Sequence, residues 1–167
     1  MGNPEPGPAA GTTMADEAAV TGGTAGDSVA ERLARIAGEF ADLDSREKLE
    51  LLVEYAASLP PLPAAYAARR GDSRVHECQT PVFLWPEVID GRAGLVAEVA
   101  PEAPTVKGFV AVLAEAVAGR PATEAAALDD TFIDRTGLTE VLGILRSRGL
   151  RAILARVRKS LLAAGAG

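Results

Sequence analysis

Apolar residues in the first part of the chain recur with helical spacing. The apolar face of the first predicted helix comprises Val29, Leu33, Ile36, Ala37 and Phe40. Asp27 or Ser28 is expected to cap this helix, and Asp44 or Ser45 to open a second one. The inward face of the second helix is expected to comprise Leu49, Leu52, Val53 and Ala56. The proline-rich segment 59–63 ends it, because proline lacks an amide hydrogen and disfavours helix before it.

The middle of the chain has the pattern of a β-hairpin. Residues 82–85, resuming at 88–89, are rich in strand-forming residues, and residues 95–99 alternate apolar with small or polar side chains. Asp90-Gly91 between them is a turn signal. Pro86 favours an edge position or a bulge, since proline cannot donate to the ladder.

Helical spacing returns after the hairpin. It begins at Val106 and is ended by Gly119 with Pro121, and residues 122–128 predict a short helix. Residues 131–145 predict short helical turns. The apolar stripe of a final helix comprises Leu150, Ile153, Leu154, Val157 and Leu161. These patterns predict an α+β fold in which a small antiparallel sheet, the central hairpin, packs against flanking helices.

Composition divides the chain into two regions. Residues 1–27 are rich in Gly, Ala, Pro and Thr and predict a disordered tail, with Met14 as an alternative start, so the folded domain is expected over 28–167. No apolar run approaches the roughly 20 residues that cross a bilayer, and no secretory signal is visible. A single cysteine fits a reducing compartment. We therefore expect a cytoplasmic protein without a membrane partner.

The charge is unevenly distributed. The net charge is −6, yet the segment from Arg146 onward carries six basic residues and no acidic one. An acidic protein with a basic end argues against general nucleic-acid binding. The basic end is either a solvated helix face or a local patch for an anion or a partner.

The stretch R-V-H-E-C-Q-T-P contains the one histidine and the one cysteine of the chain, His76 and Cys78. Two such residues cannot supply the four ligands of a structural zinc, and the chain shows neither a nucleophile elbow nor a dinucleotide fingerprint. Cys78 remains the strongest nucleophile, although a single free cysteine is often a small buried hydrophobe. Its polar neighbours favour a partly accessible thiol in a loop, near the cationic Arg74 and His76 and the opposing charge of Glu77.

Three blocks in a fixed order give Cys78 a context. They are V-H-E-C-Q-T-P-V-F-L-W at 75–85, A-P-E-A-P-T-V-K-G-F-V-A-V-L at 100–113 and R-S-R-G-L-R-A-I-L-A-R-V-R at 146–158. Together they resemble a diverged member of the SufE family, the sulfur acceptors of SufS-type cysteine desulfurases in iron–sulfur cluster assembly. The positions that match the family are Cys78, Lys107, Gly108, Arg146 and Gly149.

The resemblance implies a sulfur carrier and desulfurase activator rather than a stand-alone enzyme. Cys78 would take persulfide sulfur from a SufS-like desulfurase and pass it to a SufBCD-like iron–sulfur scaffold, and Arg146 would stabilise the thiolate or persulfide. The chain itself would need no metal or cofactor, since pyridoxal phosphate belongs to the desulfurase. Three alternatives stay open: a regulatory module that carries no sulfur, a carrier for a dedicated thio-metabolite pathway, and a thiol peroxidase. The last fits poorly, because no second cysteine resolves a sulfenic acid.

Overall fold

Two capped helices come first in the structure, a computed structural model that describes residues 27–166. Helix α1, Val29–Ala41, is capped by Ser28, whose hydroxyl accepts from the Glu31 amide. Helix α2, Ser45–Ala57, is capped in the same way by Asp44. Both caps form full capping boxes. Of the two cap residues that the sequence allowed for each helix, the structure thus uses Ser28 for α1 and Asp44 for α2. The predicted tail, 1–27, lies outside the described residues apart from Asp27.

The inward faces of these helices follow the predicted stripes with one exception. All five residues predicted for α1 are buried, as are Leu52 and Ala56 of α2, while Leu49 is half-buried. Val53 is 47% exposed, so its predicted inward position is wrong. Leu52 and Ala56 are one helical turn apart and fix the buried stripe of α2; Val53 lies about 100° around the helix from Leu52.

The predicted hairpin is present and longer than expected. Strand β1, Val82–Ile89, pairs antiparallel with strand β2, Arg92–Val99, in an unbroken register. Asp90 and Gly91 both have positive φ, 53° and 78°, which is the backbone of a tight two-residue turn. Pro86 pairs with Leu95 without a bulge. Its edge position is explained simply, because each strand of a two-stranded sheet has one unpaired side.

The core centres on α4, Pro104–Val117, which packs between α2 and β2. Gly108 makes the approach to α2 possible, because a Cβ at this position would overlap the Leu52 carbonyl oxygen. The short helix α3, Ala64–Ala67, lies in the connection that leads from α2 to the hairpin. The α+β fold predicted from the sequence is thus confirmed.

The C-terminal region differs most from expectation. A 3₁₀ segment, Ala122–Ala127, and helix α5, Thr131–Thr136, precede α6, Leu138–Ala166. The backbone of Gly143, with φ 85° and ψ 168°, bends α6 sharply near its start. The long arm of α6 therefore begins well before Leu150, and it packs against β1. Among residues 27–166, no helix is both long and apolar enough to span a bilayer.

Candidate functional site

Cys78 lies in a short loop that leads into β1. The Val75 amide donates to the Val82 carbonyl at 2.9 Å, which closes the loop at its base. Inside the loop, the Cys78 amide donates to the Val75 carbonyl at 3.3 Å, a long hydrogen bond. The sequence prediction of a loop or strand lead-in is correct.

Arg156 on α6 fastens the base of this loop. Its guanidinium donates to the Arg74 and Asp72 carbonyls, each at 2.6 Å. The rigid fork of arginine suits such a two-point attachment. The base of the loop is therefore tied to α6 by two hydrogen bonds from a charged donor.

The Cys78 side chain is buried against α6. It is 6% exposed, so the expectation of a partly accessible thiol is wrong for this conformation. A Cβ built on Gly149 would lie 3.3 Å from Sγ and 3.6 Å from Cα of Cys78. The thiol thus packs directly on Gly149, and a Cβ at this position would require it to shift slightly. The neighbouring polar residues indicate a loop but do not determine the orientation of the cysteine.

A cavity of about 630 Å³ opens beside Cys78. Its lining includes Cys78, Glu77, Gln79, Thr80, Glu102, Thr105, Val106, Leu145, Arg146, Arg148 and Gly149. The N-terminus of α4 contributes Thr105 and Val106, and Ala103, the residue before this helix, provides no side-chain cap. Unpaired amides and the helix dipole make this end of α4 electropositive.

Arg146 and Arg148 bring two positive charges to the cavity from α6. Both are exposed, and neither forms a hydrogen bond or ion pair within residues 27–166. Glu77 and Glu102 bring two negative charges from the loop and from the segment before α4. The structure thus places Arg146 and Cys78 around the same cavity, a geometry suited to an anionic sulfur species near the guanidinium groups.

Two other residues singled out in the sequence, His76 and Lys107, lie apart from this cavity lining. His76 is exposed in the loop, and Lys107 is half-buried on α4. Among the described residues, no three His, Cys, Asp or Glu side chains group as metal ligands. Arg156 had no local signal in the sequence, because it acts on backbone carbonyls far away in the chain. Gly149 did have a local signal, because a glycine inside a helical pattern often indicates close packing against another element.

Fold and site together define a small α+β protein with one cysteine on a loop beside a cavity. The SufE family model, described as an Fe-S metabolism associated domain, matches residues 34–161. Two SufE-like proteins from strains of Mycobacterium tuberculosis are each 37% identical over 139 residues, which is 83% of this chain and 96% of theirs. The chain belongs to the SufE family, as its sequence blocks predicted.

Two further comparisons agree. A SufE-like protein of Rhizobium etli is 32% identical over 131 residues, covering 76% of this chain and 87% of its own. The solution structure of a hypothetical protein from Thermus thermophilus superposes with a TM-score of 0.69 at 35% identity, covering 81% of this chain and 97% of that one. Membership of the family implies a sulfur-transfer role connected to a cysteine desulfurase.

Proposed function

We propose that this protein is a sulfur carrier in which Cys78 accepts sulfur from the persulfide of a SufS-like cysteine desulfurase. The observation that carries the proposal is the position of the single cysteine of the chain, on a loop beside a cavity that Arg146 and Arg148 also line. The cavity has room for a second sulfur atom. The final acceptor of the carried sulfur is an iron–sulfur cluster scaffold of the SufBCD type.

The transfer is an exchange between sulfur atoms. The Cys78 thiolate attacks the outer sulfur of the donor persulfide, the donor S–S bond breaks, and the donor cysteine leaves as a thiolate. Cys78 then carries the persulfide, and no external oxidant or reductant is consumed. The positive charges of Arg146 and Arg148 lie at the cavity in which an anionic persulfide would sit. Pyridoxal phosphate acts earlier, on the desulfurase.

The loop must open for this reaction, because Cys78 is buried in the conformation described here. The Arg156 hydrogen bonds hold the base, whereas the tip is held by one long hydrogen bond and by packing on Gly149. Lifting the tip therefore exposes the thiol without releasing the base. Closing it shields the persulfide from solvent and from other thiols.

The same burial favours one alternative, a regulatory module that binds a desulfurase and carries no sulfur. The two functions separate in an assay of desulfurase turnover with and without this protein. We expect the wild-type chain to stimulate sulfide-forming turnover and Cys78→Ser to abolish the stimulation while still binding the enzyme. Full stimulation by Cys78→Ser would overturn the carrier function and support the regulatory module. A carrier for a thio-metabolite pathway would instead load normally and fail to deliver sulfur to the scaffold.

A further inference from the structure

The bend of α6 at Gly143 presents two large apolar side chains to solvent. Ile144 is 77% exposed and Leu145 is 60% exposed. The other two exposed large apolar residues in the described part of the chain, Val53 and Ile89, lie on other elements. A contiguous pair of exposed aliphatic side chains, unlike a single one, is typical of a protein–protein interaction site.

This apolar corner, Ile144-Leu145, adjoins the cavity of Cys78. Leu145 lines the cavity together with Arg146 and Arg148. The positive charges therefore come from the α6 side, whereas Glu77 and Glu102 bring negative charges from the side of the loop and the start of α4. With positive charges on one side of the cavity and negative charges on the other, a partner of complementary charge can bind in one orientation, and the reversed orientation is disfavoured by repulsion.

We propose that the apolar corner is the anchor for the sulfur-donating protein. The donor surface that fits it is an apolar pocket with carboxylates placed to meet Arg146 and Arg148. This inference rests on the proposed function, because a donor persulfide has to reach the mouth of the cavity and so brings its own surface against the corner. Apolar anchors surrounded by charged groups are the usual centre of a specific interface.

The variant that tests the anchor is Ile144→Ser combined with Leu145→Ser. Both side chains are exposed, so the fold should tolerate the change. The matched control is Val53→Ser combined with Ile89→Ser, which removes exposed apolar side chains outside the cavity lining. The probes are the SufS-type desulfurase of the same genome, titrated by calorimetry, and inorganic polysulfide, a donor too small to need an anchor.

We expect the Ile144/Leu145 variant to raise the Kd for the desulfurase about tenfold or more, as the loss of interface anchors does. The control variant should bind like the wild-type chain, and polysulfide should load Cys78 equally in the wild-type chain, the control variant and Ile144→Ser alone, because Ile144 lies outside the lining of the Cys78 cavity. Equal Kd values for the wild-type chain and the Ile144/Leu145 variant, or no binding by the wild-type chain, would overturn the anchor. Binding without any sulfur on Cys78 would overturn the proposed function and leave the anchor standing.

The charge of the donor pocket has its own test. Arg148→Glu should weaken desulfurase binding at low salt, and the difference from the wild-type chain should shrink as salt screens the charges. Tighter binding by Arg148→Glu would contradict a donor surface rich in carboxylates.

Discussion

A single glycine on α6 determines how much room the Cys78 thiol has. The sequence alone identified the cysteine, because no other thiol exists in the chain, and it placed Arg146 near it through the resemblance to the family. The burial of Cys78 was not predictable from its neighbours. It depends on contact with Gly149, which comes from a distant segment, and only the folded chain brings the two together.

Gly149→Ala should therefore displace the Cys78 side chain. The added Cβ would press on Sγ at 3.3 Å, which is closer than ordinary van der Waals contact, so the loop tip has to shift outward. We expect alkylation of Cys78 by iodoacetamide to accelerate several-fold and the free energy of unfolding to fall by about 1–3 kcal/mol.

The matched control is Gly38→Ala on α1, where a Cβ meets nothing within 4 Å. This change should leave alkylation unchanged and stabilise the protein by about 0.5–1 kcal/mol, because alanine loses less backbone entropy in a helix. Identical alkylation rates for Gly149→Ala and the wild-type chain would show that the glycine does not restrain the thiol.

At the scale of elements, α6 organises the site. It supplies Gly149 against the thiol, Arg146 and Arg148 at the cavity and Arg156 at the base of the loop. The hydrophobic spacing correctly predicted the buried stripe in the C-terminal part of this helix. The bend at Gly143 was not predicted, because the sequence does not reveal whether a glycine in a helical pattern has the negative φ of a helix or a positive φ. At Gly143 φ is 85°.

Arg156→Ala should loosen the loop at its base. It removes two hydrogen bonds from a charged donor to the Asp72 and Arg74 carbonyls. We expect amide hydrogen exchange across residues 72–82 to accelerate and the free energy of unfolding to fall by about 1–3 kcal/mol. Arg156→Lys should recover part of the protection, since an ammonium group keeps the charge without the fork.

Arg158→Ala serves as the control for the loss of one arginine from α6. Arg158 is exposed, and within residues 27–166 its hydrogen bond goes to the Ala126 carbonyl, at 3.5 Å, away from the loop. Its exchange pattern over residues 72–82 should match that of the wild-type chain. If Arg156→Ala also matched it, the proposed role of Arg156 would be wrong.

At the scale of the whole molecule, the α+β class was predictable, because each element has its own periodicity and its own caps or turns. How the elements pack was not, since a glycine in a helical pattern, such as Gly108, does not reveal which residue of another element packs against it. The Glu124 carboxylate, on the 3₁₀ segment, contacts both a neighbouring arginine and the start of α1, which is distant in the sequence. The Glu124 carboxylate accepts from Arg120 at 2.7 and 3.0 Å and from the Val29 amide at 2.9 Å.

This pairing gives the fold a specific acid sensitivity. The Arg120 side chain, and to a smaller degree the Val29 amide, lower the pKa of Glu124 below its ordinary value. The resulting stability is fully present above the pKa of an unfolded glutamate, 4.5, and is lost as the pH falls through the lower folded pKa. Glu124→Gln should lower the free energy of unfolding at pH 7 by about 1–2 kcal/mol, and this deficit should shrink in acid.

Urea denaturation at neutral and acidic pH measures this difference. Glu54→Gln is the control, because Glu54 is exposed and makes no hydrogen bond or ion pair within residues 27–166. It should change stability little at either pH. A deficit for Glu124→Gln that stays constant down to strongly acidic pH would contradict the assigned linkage.

Intact-protein mass spectrometry tests directly whether Cys78 carries sulfur. The protein is incubated with the SufS-type desulfurase of the same genome, its pyridoxal phosphate and free cysteine, and its mass is then measured without reductant. We expect the added mass of one sulfur atom, located on Cys78 by fragmentation, absent from Cys78→Ser and removed by dithiothreitol. A chain that binds the active desulfurase and stays at its unmodified mass would contradict it.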